Sequence, residues 1–240
     1  MNTKVLIAAT LSSLTLAVGT AKAGTISYQA ITNDADSGIS SSNTYTHAGD
    51  LGNANALATV NGVAFATNPA NFTETYNGSN GGSPNNAPGG GLGDLMQGFI
   101  FQQGATIPLG SAFTMTLSGL AAGTVYDFRI YSGRWDTGAD RTNTITFDPD
   151  GAGAVSDSTT FNQNDATTVP GESFASDEIY YINYRYTAVA SEDLEVTFTI
   201  ANNSNASFHV YGITNQVVPE PSSLALLGLG GLLIARRRRG

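Results

Sequence analysis

One six-residue run gathers more binding chemistry than any other: Tyr131-Ser132-Gly133-Arg134-Trp135-Asp136, with the chain's single tryptophan between a cation and a carboxylate. Sugars stack their C–H faces on aromatic rings, while guanidinium and carboxylate groups grip hydroxyls. Tyr131, Arg134, Trp135 and Asp136 are therefore the predicted carbohydrate ligands. The competing reading is a tryptophan that closes one end of the fold, with Arg134 paired to Asp136 or Asp140. A second chemistry is suggested by Asp148, Asp150 and Asp157, three carboxylates within ten residues, the oxygen-donor set that calcium takes. A Pro-Asp-Gly β-turn explains Asp148 to Gly151 equally well. Asp34 and Asp36, followed by Gly38, open like a calcium loop but lack the distal glutamate of an EF-hand, and an Asx-rich turn is the alternative.

Catalytic signals are sparse. A Ser-His-Asp triad must use His47 or His209, because the chain has two histidines, and no Gly-x-Ser-x-Gly elbow accompanies them. His209 shares a strand face with Tyr211, so a structural or surface role is predicted for it. Paired carboxylates for glycoside hydrolysis could come from Asp127, Asp136, Glu178 and Glu195, since their separation is set by the fold and not by spacing in sequence. In so acidic a chain the expected state of such a pair is a solvated surface pair, and a non-catalytic protein is predicted.

The formal net charge is −9. It becomes more negative when Lys4, Lys22, Glu220 and the C-terminal arginines are set aside, leaving Arg129, Arg134, Arg141 and Arg185 as the basic residues of the body. No basic stripe is available to neutralise phosphates, which argues against nucleic acid and against anionic lipid surfaces. There is no cysteine, so disulfides and thiolate metal sites contribute nothing.

These side chains need strands to hold them. Leu194, Val196, Phe198 and Ile200 alternate with Glu195, Thr197 and Thr199, the pattern of a half-buried antiparallel strand. Tyr126, Phe128 and Ile130 alternate likewise with Asp127 and Arg129, and Tyr180, Ile182, Tyr184 and Tyr186 with Asn183 and Arg185. Strands are predicted over 26–31, 97–102, 113–117, 125–131, 143–147, 178–187, 194–200 and 207–213, with a type I′ hairpin through Asn61-Gly62 joining 57–60 to 63–67. No comparable helical period intervenes. Residues 77–93, rich in Gly and Asn, are predicted to be a long flexible surface loop without secondary structure. Little can be predicted for 40–56.

Both ends read as targeting segments. Residues 1–23 form a signal peptide, with basic Lys4, an apolar run and the small residues Ala21 and Ala23 around a cleavage point before Gly24. At the other end, Pro219-Glu220-Pro221 precedes an apolar run of twelve residues, 224–235, and then Arg236, Arg237, Arg238 and Arg239. As a helix that run spans ~18 Å, short of the ~30 Å hydrocarbon core. The arginines would stay on the cytoplasmic side, so transient membrane insertion with an exposed processing site is expected.

In its order of motifs, the tail at 217–240 resembles the PEP-CTERM sorting signal. The resemblance implies export by a bacterium of Gram-negative type, recognition and removal of the tail by an exosortase, and release or attachment at the cell surface, often alongside exopolysaccharide. The body resembles galactose-binding-like and malectin-like jelly rolls over the stretch from Thr116 to Tyr131, where a Gly-Leu-x-x-Gly-x-x-Tyr turn joins two central strands. Together these observations predict an all-β protein: a single antiparallel β-sandwich of jelly-roll type over 24–216, flanked by the signal peptide and a short C-terminal hydrophobic helix. Its predicted role is a non-catalytic envelope or matrix module that binds extracellular polysaccharide. The alternatives are a self-associating structural protein and, third, a glycoside hydrolase.

Overall fold

The period-two alternation read from Leu194 to Ile200 is realised directly: the apolar residues are buried and Glu195, Thr197 and Thr199 are half-exposed. A computed structural model describes residues 23–52, 56–102, 108–135, 139–151, 156–189, 193–202 and 207–219. The expected signal peptide, Ala23 excepted, and the C-terminal helix lie outside the described residues, as do Ala21, Asp136, Glu220, Pro221 and the four terminal arginines.

In chain order the strands are β1 (Thr25–Ala30), β2 (Tyr45–Asp50), β3 (Thr59–Val60), β4 (Val63–Ala64), β5 (Phe72–Glu74), β6 (Gly78–Gly81), β7 (Gly98–Phe101), β8 (Ala112–Leu117), β9 (Val125–Ser132), β10 (Thr142–Asp148), β11 (Asp157–Asn162), β12 (Tyr180–Thr187), β13 (Leu194–Ile200) and β14 (Gly212–Val217), with one short helix, α1 (Gly90–Leu95). Two five-stranded sheets dominate, ordered β1-β12-β9-β14-β2 and β11-β10-β13-β8-β5. All their ladders are antiparallel. From β8 onward the chain changes sheet at every step except β10 to β11, as a jelly-roll sandwich does. Between the sheets lies a core of Phe128, Ile130, Ile182 and Tyr184 facing Met115, Ile145, Phe147 and Val196, all of them fully buried.

Several expectations need correction. The stretch 77–93 is not structureless: β6 pairs with β7, and α1 begins at Gly90. Backbone pairing and a cap supplied from elsewhere replace the apolar side chains that this stretch lacks. The strand predicted over 207–213 instead runs from Gly212 to Val217, although Val210 makes an isolated bridge to Ile100. Strands β2, β5 and β11 went unforeseen because they consist mainly of small and polar residues, whose strand signal is weak. The turn at 118–124 joins strands of different sheets, so β8 and β9 are not a hairpin. The type I′ turn at Asn61-Gly62 forms as predicted, with φ of 48° and 81°.

Strand β9 is not half-buried. Asp127, Arg129 and Tyr131 on its other face are buried too, and over the outer face of the first sheet fold residues from 31–39, 58–65 and 92–99. A second apolar cluster forms there from Ile31, Val60, Phe65, Leu92, Leu95 and Phe99 around Tyr131 and Tyr211. Leu95 sits so close over Gly212 that a Cβ there would lie 2.6 Å from its Cδ1.

This covering layer traps a carboxylate. Asp50 is 1% exposed; its Oδ2 accepts the Ala58 N–H at 2.9 Å, and its Oδ1 has no partner among the described residues. Burial pushes its carboxyl up to about 6, against the pull of the Ala58 bond and with Asp94 adding to the rise. The folded protein thus holds this proton more tightly than the unfolded chain. The stabilisation is full below the ordinary value of 3.8 and is lost as pH rises through about 6. Replacing Asp50→Asn is expected to remove that part of the pH dependence and to raise stability at neutral pH by about 1–3 kcal/mol, as read by urea denaturation across a pH series.

Candidate binding cleft

The chain leaves β9 through Gly133 and Arg134 and returns to β10 through Ala139 and Asp140, while β11 ends at Asn162 beside it. Two asparagines stitch these turns together. Asn162 Oδ1 accepts from the Arg141 and Asn164 N–H groups at 2.9 and 3.0 Å. Asn164 Oδ1 accepts from the Trp135 N–H at 3.0 Å, and its Nδ2 donates to the Ala139 carbonyl at 2.8 Å. Below them Gln163, fully buried, donates to Ser132 Oγ and to the His209 carbonyl and accepts the His209 N–H at 2.8 Å. Residues rich in turn propensity thereby become a fixed rim.

The rim encloses a cleft of about 360 Å³ lined by Arg134, Ala139, Asp140, Asn162, Asn164, Asp165 and Ser176. Six of its seven lining residues are polar: a guanidinium, two carboxylates, two amides and a hydroxyl. Asp140 Oδ1 is held by the Thr142 N–H and hydroxyl, and Asp165 Oδ1 by those of Thr167. Such a surface suits a ligand that offers many hydroxyls at once.

Of the predicted sugar ligands, Arg134 lines this cleft and Trp135 stands at its edge. Trp135 is only partly exposed; it packs edge-on to Phe99 at 4.7 Å and near His209 at 5.7 Å, and its indole leaves no room for a side chain at Gly82. Tyr131 does not line the cleft. It is fully buried under the covering layer, where its hydroxyl donates to the Ser37 carbonyl at 3.1 Å. Alternation decides this, for Tyr131 faces the side of β9 opposite Ile130. Asp140, Asn162, Asn164, Asp165 and Ser176 were not predicted; the Asn-Gln-Asn-Asp run at 162–165, ending a strand, was the available signal.

The calcium sets do not assemble. No group of three metal-ligating side chains comes together among the described residues. Asp157 Oδ2 accepts from Tyr184 Oη at 2.8 Å and from the Gly24 N–H at 2.6 Å, and Asp148 Oδ1 accepts the Asp150 N–H. Asp34 caps α1, taking the Gly91 and Leu92 N–H groups at 3.2 and 2.8 Å. Asp36 closes the turn before it through Thr32 and Asn33; although burial opposes them, these bonds lower its carboxyl. Hydrogen bonds from backbone N–H groups, from Thr32 and from Tyr184 thus already engage oxygens of Asp34, Asp36, Asp148 and Asp157.

Both histidines are buried. His209 is buried and stacked on Phe99 at 3.9 Å, and burial, with Arg141 nearby, drives its pKa well below the ordinary range. His47 is buried against the Asn71 carbonyl, and burial lowers it as well. Of the candidate carboxylates, Asp127, Glu178 and Glu195 stand in different parts of the fold. Asp127 lies on the outer face of the first sheet, held by Arg185 Nε and Nη2 at 2.8 Å; burial would raise its pKa, but Arg185 and Asn183 outweigh it. Glu195 is on the outer face of the other sheet, and Glu178 lines a separate small pocket with Thr32 and Asn86.

No helix among the described residues is long and apolar enough to cross a membrane. No curated protein sequence matches the chain. Among solved structures it is similar to the enzymatically active domain of tailspike protein 4 of Bacteriophage CBA120, at 11% identity and a TM-score of 0.36; the match covers 62% of this chain and 20% of that one. Residues 217–239 match the family model of the PEP-CTERM protein-sorting motif. The chain therefore carries the tail of an exported, cell-surface-sorted protein that an exosortase handles.

Proposed function

We propose that the β-sandwich is a non-catalytic module of the cell surface or extracellular matrix and that the cleft beside Trp135 binds polysaccharide. The observation that carries this reading is the lining of the cleft, where Arg134, Asp140, Asn162, Asn164, Asp165 and Ser176 converge on one opening. Paired donors and acceptors on a rim already tied by hydrogen bonds lose little freedom when a polyhydroxylated ligand arrives. Trp135 acts chiefly as the wedge that sets the height of this rim. The sorting tail inserts transiently through its apolar run, with the arginines on the cytoplasmic side, until the exosortase removes it.

A second reading, self-association, is favoured by the outer face of the sheet that contains β13. Thr146, Thr197 and Thr114 stand side by side across β10, β13 and β8, and the Thr144 and Thr160 hydroxyls are 2.7 Å apart. This flat threonine surface could pack against a second copy. Concentration-dependent sedimentation without retention on any polysaccharide would select it.

The protein is expected to be retained on columns of immobilised exopolysaccharide, and Arg134→Gln to weaken that retention about tenfold through loss of a charged hydrogen bond. Passage of the wild type unretained through every polysaccharide tested would overturn the reading. Retention should be the same in calcium and in chelator, because the aspartates are engaged elsewhere. Trp135→Ala is expected to lower stability by about 2–3 kcal/mol by opening a cavity over Phe99, measured by thermal or chemical denaturation alongside the binding assay.

A further inference from the structure

The sandwich has two unlike ends. The sorting motif overlaps the fold, since Val217 pairs with Tyr126 in the sheet. The Val217 N–H donates to the Thr44 carbonyl and the Val218 N–H to the Val125 carbonyl, both at 2.9 Å. Pro219 therefore leaves directly from a strand that lies between β9 and β2, with no linker. The register places this exit at the start of β9 and the end of β12. Gly24, where the expected signal peptide ends, lies at the same end, because Thr25 pairs with Arg185. The cleft is at the other end, where β9 and β11 finish and β12 begins. Seven strand steps along β9 separate the two ends, about 23 Å.

We infer that the protein is presented on the membrane with its exit end toward the bilayer and its cleft pointing away. This rests on the proposed insertion of the tail. Five residues separate Val218 from the apolar run, six Cα steps or at most about 22 Å when extended, and two of them are prolines. That tether is shorter than the sandwich is tall, so the far end cannot be turned down onto the membrane. Charge does not set this orientation: the turns 40–44 and 118–124 beside the exit are uncharged and Ala122 is exposed, but Asp148, Asp150 and Asp157 of the other sheet stand at the same end, Asp157 bonded to the Gly24 N–H, and Ser118 donates to Asp193. The sorting signal thereby does more than address the protein. It fixes which end meets the extracellular space, keeping the polar cleft clear for a large polymer while the tail is still in place.

The chain has no cysteine, so single fluorophores can be placed by Ala122→Cys at the exit end and Ala201→Cys, just past β13, at the other. The full chain with its tail intact is reconstituted into phosphatidylethanolamine and phosphatidylglycerol vesicles that contain an acceptor lipid labelled at its headgroup. Energy transfer should be greater from position 122, by the difference that a height offset of about 23 Å produces. A long Gly/Ser insertion between Val218 and Pro219 should erase that difference. Equal transfer from the two positions, or greater transfer from 201, overturns the orientation. Failure of the chain to associate with vesicles overturns the orientation together with the tail reading. Polysaccharide retention is measured separately on the same samples, so its loss bears on the cleft and leaves the transfer result standing.

Discussion

The fold depends on aromatic contact between two sheets. Phe147 of one sheet stacks on Tyr184 of the other at 4.5 Å and meets Phe128 edge-on at 6.5 Å, while Phe113 and Phe198 stack at 4.6 Å within their own sheet. Each such side chain contributes roughly 1.5–3 kcal/mol by leaving water, and with no cysteine in the chain no disulfide assists. The strands must therefore hold register, because a slip by one residue would turn this set outward and the threonines inward. Everything at the ends of the sandwich, cleft and tail exit alike, inherits its position from that register.

A second constraint acts on the first sheet, whose outer face is also closed. The covering layer is poor in regular structure, and long-range polar contacts hold it. Asp34 accepts N–H groups of α1 from residues 57 and 58 positions farther on, Arg129 donates to the Gly38 carbonyl and to Gln216 Oε1 while lying over the Tyr181 ring at 5.2 Å, and Asn61 donates to the Asp34 and Ile39 carbonyls. The layer also buries its own apolar cluster around Tyr131 and Tyr211. It accommodates the buried Asp50 carboxyl at an energetic cost.

The cleft owes its shape to amides more than to charges. Asn162, Gln163 and Asn164 tie the β9–β10 and β11–β12 turns to each other, and Trp135 wedges the upper one against Phe99 and His209. The charged side chains, Arg134, Asp140 and Asp165, are thereby presented on a framework already satisfied in its own hydrogen bonds, as a preorganised binding surface requires. The opposite end supplies the contrast: a fixed exit strand and a short proline-bearing tether.

The sequence by itself determined the strands whose alternation is strong, from β8 to β10, β12 and β13, together with the Asn61-Gly62 turn and the sorting tail. Each of these is legible because the physics is local: period-two alternation, left-handed turn residues, and the order of prolines, apolar run and arginines. Only the tertiary structure decided which face of β9 met a second layer, and so removed Tyr131 from the site. It also turned Asp34 into a cap for α1 and Asp157 into the partner of Gly24 and Tyr184, and it ordered the segment after Asn77 through β6 and α1. Those outcomes rest on partners dozens of residues away, and no spacing in the sequence encodes where two sheets and a covering layer will bring such partners together.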